Sequence, residues 1–171
     1  AVIDEVVKAK KTYADDDFII GYRLSPEEAE SPGISMEHTE KLIKTITKKA
    51  IDYVHISIMD IHSQTREGKY EGEERLKLIH QWVDGRMPVI GIGSVFTADD
   101  ALDAVESTGI ELVALGRGIL LDYNFIHKIE EGKEEEIISY FDPNREDKHA
   151  LPPNLWEQFN KGFYPLPRKD K

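Results

Sequence analysis

Four short apolar runs punctuate the chain: FIIGYRL (18–24), YVHIS (53–57), PVIGIG (88–93) and LVALG (112–116). Each is continuous rather than alternating, the pattern of parallel strands covered on both faces. Between them the apolar positions take helical spacing. Over 36–50, Leu42, Ile43 and Ile46 share one face behind Ser35, a favoured N-cap type. Over 72–84, Leu76, Ile79 and Val83 do the same, joined by Leu78 and Trp82. Over 97–107, Ala98, Ala101, Leu102 and Val105 form a stripe behind a Thr97 cap. After the last strand, Asp122 caps a helix carrying Phe125, Ile126 and Ile129. The opening AVIDEVVKAKK also reads as a helix, with Val2, Ile3, Val6 and Val7 at helical spacing and lysines at the far end, where the helix dipole favours cations. It has neither a methionine nor a helix start signal before it, the pattern expected of a chain cut inside or just before a helix.

A leading helix followed by four β-α units calls for right-handed crossovers and a parallel sheet. Periodicity leaves two architectures open, a doubly wound open sheet and part of a (βα)8 barrel. A whole barrel takes about 250 residues for eight units, and this chain offers four. From residue 133 the character changes to charged and then proline- and aromatic-rich sequence. The pattern there predicts a short helix near 134–140, a helical turn near 155–160 and an extended end. Trp156, Phe159, Phe163 and Tyr164 are expected to cover the rim of the domain rather than form a separate module. The division expected is residues 1–132 as the α/β unit and 133–171 as a helical, aromatic tail.

Composition narrows the function. The 171 residues are 40 % hydrophobic and 32 % charged, which suits a globular domain with a core. A formal net charge of −11 argues against a general nucleic-acid or membrane-surface binder, though one basic pocket can still hold one phosphate. The absence of cysteine excludes disulfides, thiolate metal sites and a cysteine nucleophile, and fits a cytoplasmic setting. No apolar run is long enough to span a bilayer.

Two glycine-bearing strand ends follow one another, G-I-G-S (91–94) and L-G-R-G (115–118). Glycine lets backbone N–H groups approach an anion, and arginine grips phosphate oxygens with a planar fork of donors. In (βα)8 barrels a phosphate site is commonly built by the loops after the last two strands. On that reading Gly93 and Ser94 donate from one loop, and Gly116 and Arg117 from the other. The plainer alternative makes Arg117 a turn residue.

Other polar residues carry plainer expectations. His55 and Ser57 fall on one side of a strand as a hydrogen-bonded pair. His62, Gln64 and Arg66 lie in the loop after the second strand, read as a mobile surface loop, with a substrate or nicotinamide contact as the alternative. His38, His80, His127 and His149 are expected at the surface. Asp99, Asp100 and Asp103 serve a helix start, and no metal site is expected.

The stretches GYRLSPEE, YVHIS, PVIGIGSVFTADDALDAV and LVALGRGILLD resemble, in order and spacing, the C-terminal half of the old yellow enzyme family, the NAD(P)H-dependent FMN oxidoreductases. The resemblance covers nearly the whole chain and implies a (βα)8 TIM-barrel type fold, here a C-terminal half-barrel of about four βα units. It implies FMN and NAD(P)H as cofactors. It places Arg23 beside the N1/O2 edge of the flavin ring, where a fixed positive charge stabilises the reduced anion. It places Gly93, Ser94, Leu115, Gly116 and Arg117 around the FMN phosphate. The family's carbonyl-binding histidine or asparagine pair, its proton-donor tyrosine and its other ring contacts have no counterpart in this chain, so no catalytic residue is assigned. The expectation is a fragment of a flavin oxidoreductase that is inactive alone and self-associates through its exposed half-barrel edges. The alternatives are half of a non-redox phosphate-binding barrel and a domain with no ligand.

Overall fold

In the computed structural model, which describes residues 2–146 and 149–169, β1 (Gly21–Leu24), β2 (Tyr53–Ser57), β3 (Val89–Ile92) and β4 (Leu112–Val113) form one parallel sheet in the order β1-β2-β3-β4. A doubly wound sheet reverses its strand order at a switch point, whereas a barrel adds each strand beside the one before it. The sequential order therefore decides for the barrel architecture, and the chain is a partial barrel. Helices α1 (Val2–Tyr13), α2 (Met36–Ile46), α3 (Arg75–Val83), α4 (Ala98–Thr108), α5 (Arg117–Leu121), α6 (Phe125–Glu130) and α7 (Pro153–Asn160) complete the fold.

The chain forms two compact units. The first comprises Ala1–Gly93 and Ala104–Ala114. Its sheet pairs Arg23 with His55 and His55 with Ile90, and Ile90 with Leu112. Val54, Ile56 and Val89 on the opposite face are fully buried, as are Ile43, Leu76 and Ile79 of the helices α2 and α3. The continuous apolar runs predicted cover on both faces, but burial alternates along β2 and β3, and Leu112 is 51 % exposed. The face carrying Val54 and Ile56 is fully buried, and the face carrying His55 and Ser57 is half-buried. The loop after β1 is fastened by a buried ion pair in which Arg75 donates through Nε to Glu27 at 2.9 Å.

The strand expected at 18–24 shortens at its start because the Ile20 N–H bonds the Asp52 carboxylate at 2.7 Å instead of a ladder partner. Helix α2 begins at Ser35 as expected, whose N–H donates to His38 Nδ1 at 3.2 Å. The stripe expected on α4 is offset: Ala104 and Thr108 are buried while Leu102 is 57 % exposed. Thr108 tolerates burial because its hydroxyl bonds Ala104 O at 2.6 Å. An apolar-only pattern misses a residue of that kind.

The second unit comprises Ser94–Asp103 and Leu115–Lys171. Leu121, Phe141, Trp156, Phe159 and Leu166 form its apolar centre, with Phe96, Leu120, Leu151 and Leu155 packed around it. Trp156 and Phe159 are thus core residues, while Phe163 is 70 % exposed. His149 departs from the surface placement expected of it. It is buried against the rings of Phe141 and Trp156, with Nδ1 3.1 Å from Leu121 O. The helix expected over 134–140 is a single 3-10 turn, Glu134–Glu136. It stops there because the buried Asp122 carboxylate takes the Ile138 N–H at 2.9 Å.

Candidate anion site and inner sheet face

Each unit carries part of the residue set that the sequence singles out. In the first unit, Arg23 is exposed on the same sheet face as His55 and donates through Nη2 to Ser57 Oγ at 2.8 Å. The pair expected was His55 with Ser57. Both lie on this face, but Arg23 takes the hydroxyl and His55 Nε2 has no protein partner. Burial, and then the Arg23 charge, push the His55 pKa below the usual histidine value and favour the neutral ring.

Gly93, at the end of β3, needs to be glycine. Its φ is 153°, and a Cβ there would stand 2.8 Å from the Asp60 backbone nitrogen. Its carbonyl accepts the Ile61 N–H at 3.3 Å. Ser94, the next residue, has φ 51°, a left-handed backbone uncommon for a serine. Such outliers cluster at ligand clamps because the surrounding structure has to hold them.

In the second unit the loop beginning at Ser94 is fixed by Asp100. Its carboxylate accepts the N–H groups of Phe96 and Thr97, each at 2.9 Å, and Thr97 Oγ1 accepts the Asp100 N–H at 3.0 Å. This reciprocal cap starts α4 and sets the loop at once. The two residues picked out from separate strand ends come together here: Arg117 donates through Nη2 to Ser94 Oγ at 3.1 Å. Its Nη1 donates to Pro165 O at 2.6 Å, and the guanidinium lies 5.2 Å from the centre of the Phe96 ring. Gly116 is the N-cap of α5, exposed, and Leu115 before it is half-buried. Gly118 lets α5 approach this loop, since a Cβ there would meet Val95 O at 2.7 Å.

A fixed guanidinium, a serine hydroxyl and glycine-rich backbone form a donor set suited to a phosphate monoester dianion. The residues therefore fit the phosphate end of a nucleotide cofactor. Pro165 and Phe96 were not in the set read from the sequence. Pro165 acts through its backbone carbonyl 48 residues from Arg117, which no local spacing reveals.

The loop after β2 is tied down. His62 Nδ1 lies 3.3 Å from Glu74, Gln64 bridges Glu74, and the Arg66 N–H donates to Glu27. His80 faces Glu111 and His127 faces Glu130 and Glu131. Among the described residues no three His, Cys, Asp or Glu side chains gather as a metal site. No helix among them is long and apolar enough to cross a membrane.

Residues 1–136 match the model of the NADH:flavin oxidoreductase / NADH oxidase family. The chain is 41 % identical over 170 residues to a probable NADH-dependent flavin oxidoreductase of Bacillus subtilis, covering 99 % of this chain and 45 % of that protein. It is 32 % identical over 162 residues to the NADH:fumarate oxidoreductase of Klebsiella pneumoniae, covering 91 % of this chain and 17 % of the relative. Histamine dehydrogenase from Rhizobium sp. 4-9 superposes with a TM-score of 0.61 at 19 % identity, over 80 % of this chain and 19 % of the enzyme, a likeness of fold. The chain thus spans under half the length of these proteins.

Proposed function

The chain belongs to the NADH:flavin oxidoreductase / NADH oxidase family, and from that premise we propose that it carries the FMN-phosphate half-site of an NAD(P)H-dependent flavin oxidoreductase. FMN and NAD(P)H are the cofactors of this family, and the flavin, when bound, supplies the two-electron chemistry that links NAD(P)H to an activated alkene or similar acceptor. The observation that carries the reading is the Arg117–Ser94 hydrogen bond, which joins the residues after two successive strands into one donor set.

In this reading Arg117 and the Ser94 hydroxyl hold the phosphate oxygens, with backbone from Gly93, Leu115 and Gly116. Arg23 faces the pyrimidine edge of the ring and stabilises negative charge there, a role supported by its exposure at the end of β1. Residues 1–132 supply the barrel units and 133–171 the tail. No side chain of this segment is assigned as proton donor. We therefore propose that the segment does not turn over alone, and that it self-associates through β1 and β4, the edges of its sheet. A cytoplasmic setting is supported by the absence of cysteine.

Titration of the 171-residue chain with FMN, followed by flavin fluorescence, tests the half-site. Saturable binding that inorganic phosphate competes away, and that Arg117→Ala weakens at least about ten-fold, is expected for a lost charge-assisted contact. Affinity for sugar phosphates with none for FMN would point instead to a non-redox phosphate barrel. An absence of saturable binding to either overturns the half-site.

A further inference from the structure

We propose that residues 163–169 form a positioning strap that holds Arg117 ready for a phosphate group, so that FMN binding and docking of the C-terminal strap are coupled. The proposal rests on the FMN-phosphate reading above and adds a part of the chain to it.

The strap is fastened at several points within the second unit. Phe141 N–H donates to Pro167 O at 2.8 Å, and Lys169 N–H donates to Phe141 O at 3.2 Å, one rung on either side of Arg168. Leu166 is buried in the cluster with Phe141 and Phe159. The Arg168 guanidinium donates to Phe159 O and lies 5.2 Å from the centre of the Phe141 ring. Tyr164 meets Phe159 edge-on at 5.2 Å. Between these anchors, Pro165 has no N–H of its own to satisfy, and its carbonyl is the acceptor for Arg117 Nη1 at 2.6 Å.

Arg117 is thus gripped on three sides: by the strap carbonyl, by the Phe96 ring and by Ser94 Oγ. An unheld arginine gives up rotamer freedom when it captures an anion, and that loss weakens binding. The strap bears the cost on folding instead. A carbonyl also selects arginine over lysine, because the planar fork presents one donor to Pro165 while another edge faces Ser94. A lysine gathers its three donors on one atom and lacks the fixed fork that meets both acceptors in one geometry. By linkage, whatever factor the docked strap adds to phosphate affinity, a bound phosphate returns to the docking of the strap.

The test compares the full chain with Arg168→Ala, which loosens the strap from the surface, and with a chain ending at Gly162, each confirmed as folded by near-UV circular dichroism. FMN and inorganic phosphate are titrated separately. Both variants are expected to bind each about three- to ten-fold more weakly, the range for immobilising one long side chain. In an Arg117→Lys background, Arg168→Ala is expected to cause no further loss, since the residue the strap holds is gone. FMN is expected to slow carboxypeptidase removal of the C-terminal residues from the full chain but not from Arg117→Lys.

Unchanged or tighter binding in a folded Arg168→Ala chain overturns the strap while leaving the half-site intact. A loss of equal size in the Arg117→Lys background also overturns it, because the strap would then act through general stability. If the truncated chain does not fold, Arg168→Ala decides alone. A full chain that binds neither FMN nor phosphate overturns the half-site, and the strap with it.

Discussion

Arg23 and Ser57 lie on adjacent strands of one sheet face, and the guanidinium of the first donates to the hydroxyl of the second at 2.8 Å. The register places His55, not Ser57, directly beside Arg23. The arginine therefore reaches two residues along β2 for its acceptor and leaves a histidine next to a fixed positive charge. That order of preference is physical. A guanidinium gains more from a hydroxyl oxygen than a neutral imidazole does, and a second cation beside it is disfavoured.

His55 makes the fold sensitive to mild acid. Its folded pKa is lowered by burial and by Arg23, so below the ordinary histidine value the unfolded chain binds the proton more readily. The stabilisation is full above about pH 6.5 and falls as the pH drops through that value. Urea unfolding at pH 7.5 and 5.5 is expected to show a lower midpoint at 5.5, and His55→Gln to remove part of the difference. An equal difference in the variant would assign the acid sensitivity to other groups.

Gly118→Ala is expected to destabilise the second unit by about 1–2 kcal/mol. Alanine in a helix gains about 0.5–1 kcal/mol over glycine. Here the new Cβ would stand 2.7 Å from Val95 O, a backbone atom that cannot swing away. Overpacking of that kind costs about 1–3 kcal/mol. The clash wins, and thermal unfolding of the variant reports the sign. A gain in stability would mean that α5 slides freely past the loop.

Asp122 is the buried charge that organises the tail. Burial alone would raise its pKa, but the Lys128 ammonium and the N–H groups of Ile138 and Asn124 outweigh it and hold the carboxylate below its usual value. Asp122→Asn is expected to cost about 2–3 kcal/mol, the range for buried hydrogen bonds to a charged group. A lowered carboxylate pKa contributes stability that is present above the unfolded value near 3.8 and is lost as the pH falls through the lower folded one. The gap between wild type and variant in urea is therefore expected to narrow below pH 4.

Self-association is expected from the two sheet edges, since β4 pairs only through Ile90 and Gly91 and its Leu112 is half exposed. Size-exclusion chromatography with light scattering is expected to show dimers or larger species that grow with concentration. A monodisperse monomer at high concentration would remove this part of the proposal.

The strand and helix order and the sheet's parallel sense could be read from the chain, and Ser94 and Arg117, picked out at separate strand ends, meet in one hydrogen bond. Apolar spacing, cap residues and glycines at strand ends act within a few residues, and YVHIS became β2 without a shift. Three outcomes lay beyond that range. The strand order 1-2-3-4 chose barrel over open sheet. His149 went inside because the rings of Phe141 and Trp156, with Leu121 O, made a pocket that accepts an imidazole ring. Arg117 took the Pro165 carbonyl, an acceptor every residue possesses and no composition marks. Sequence by itself determined the order of the strands and of the helices between them, though not the form of 134–140, and which side chains bear charge. Tertiary structure alone decided which partner each of those side chains meets, because that depends on distances closed by folding between residues far apart in the chain.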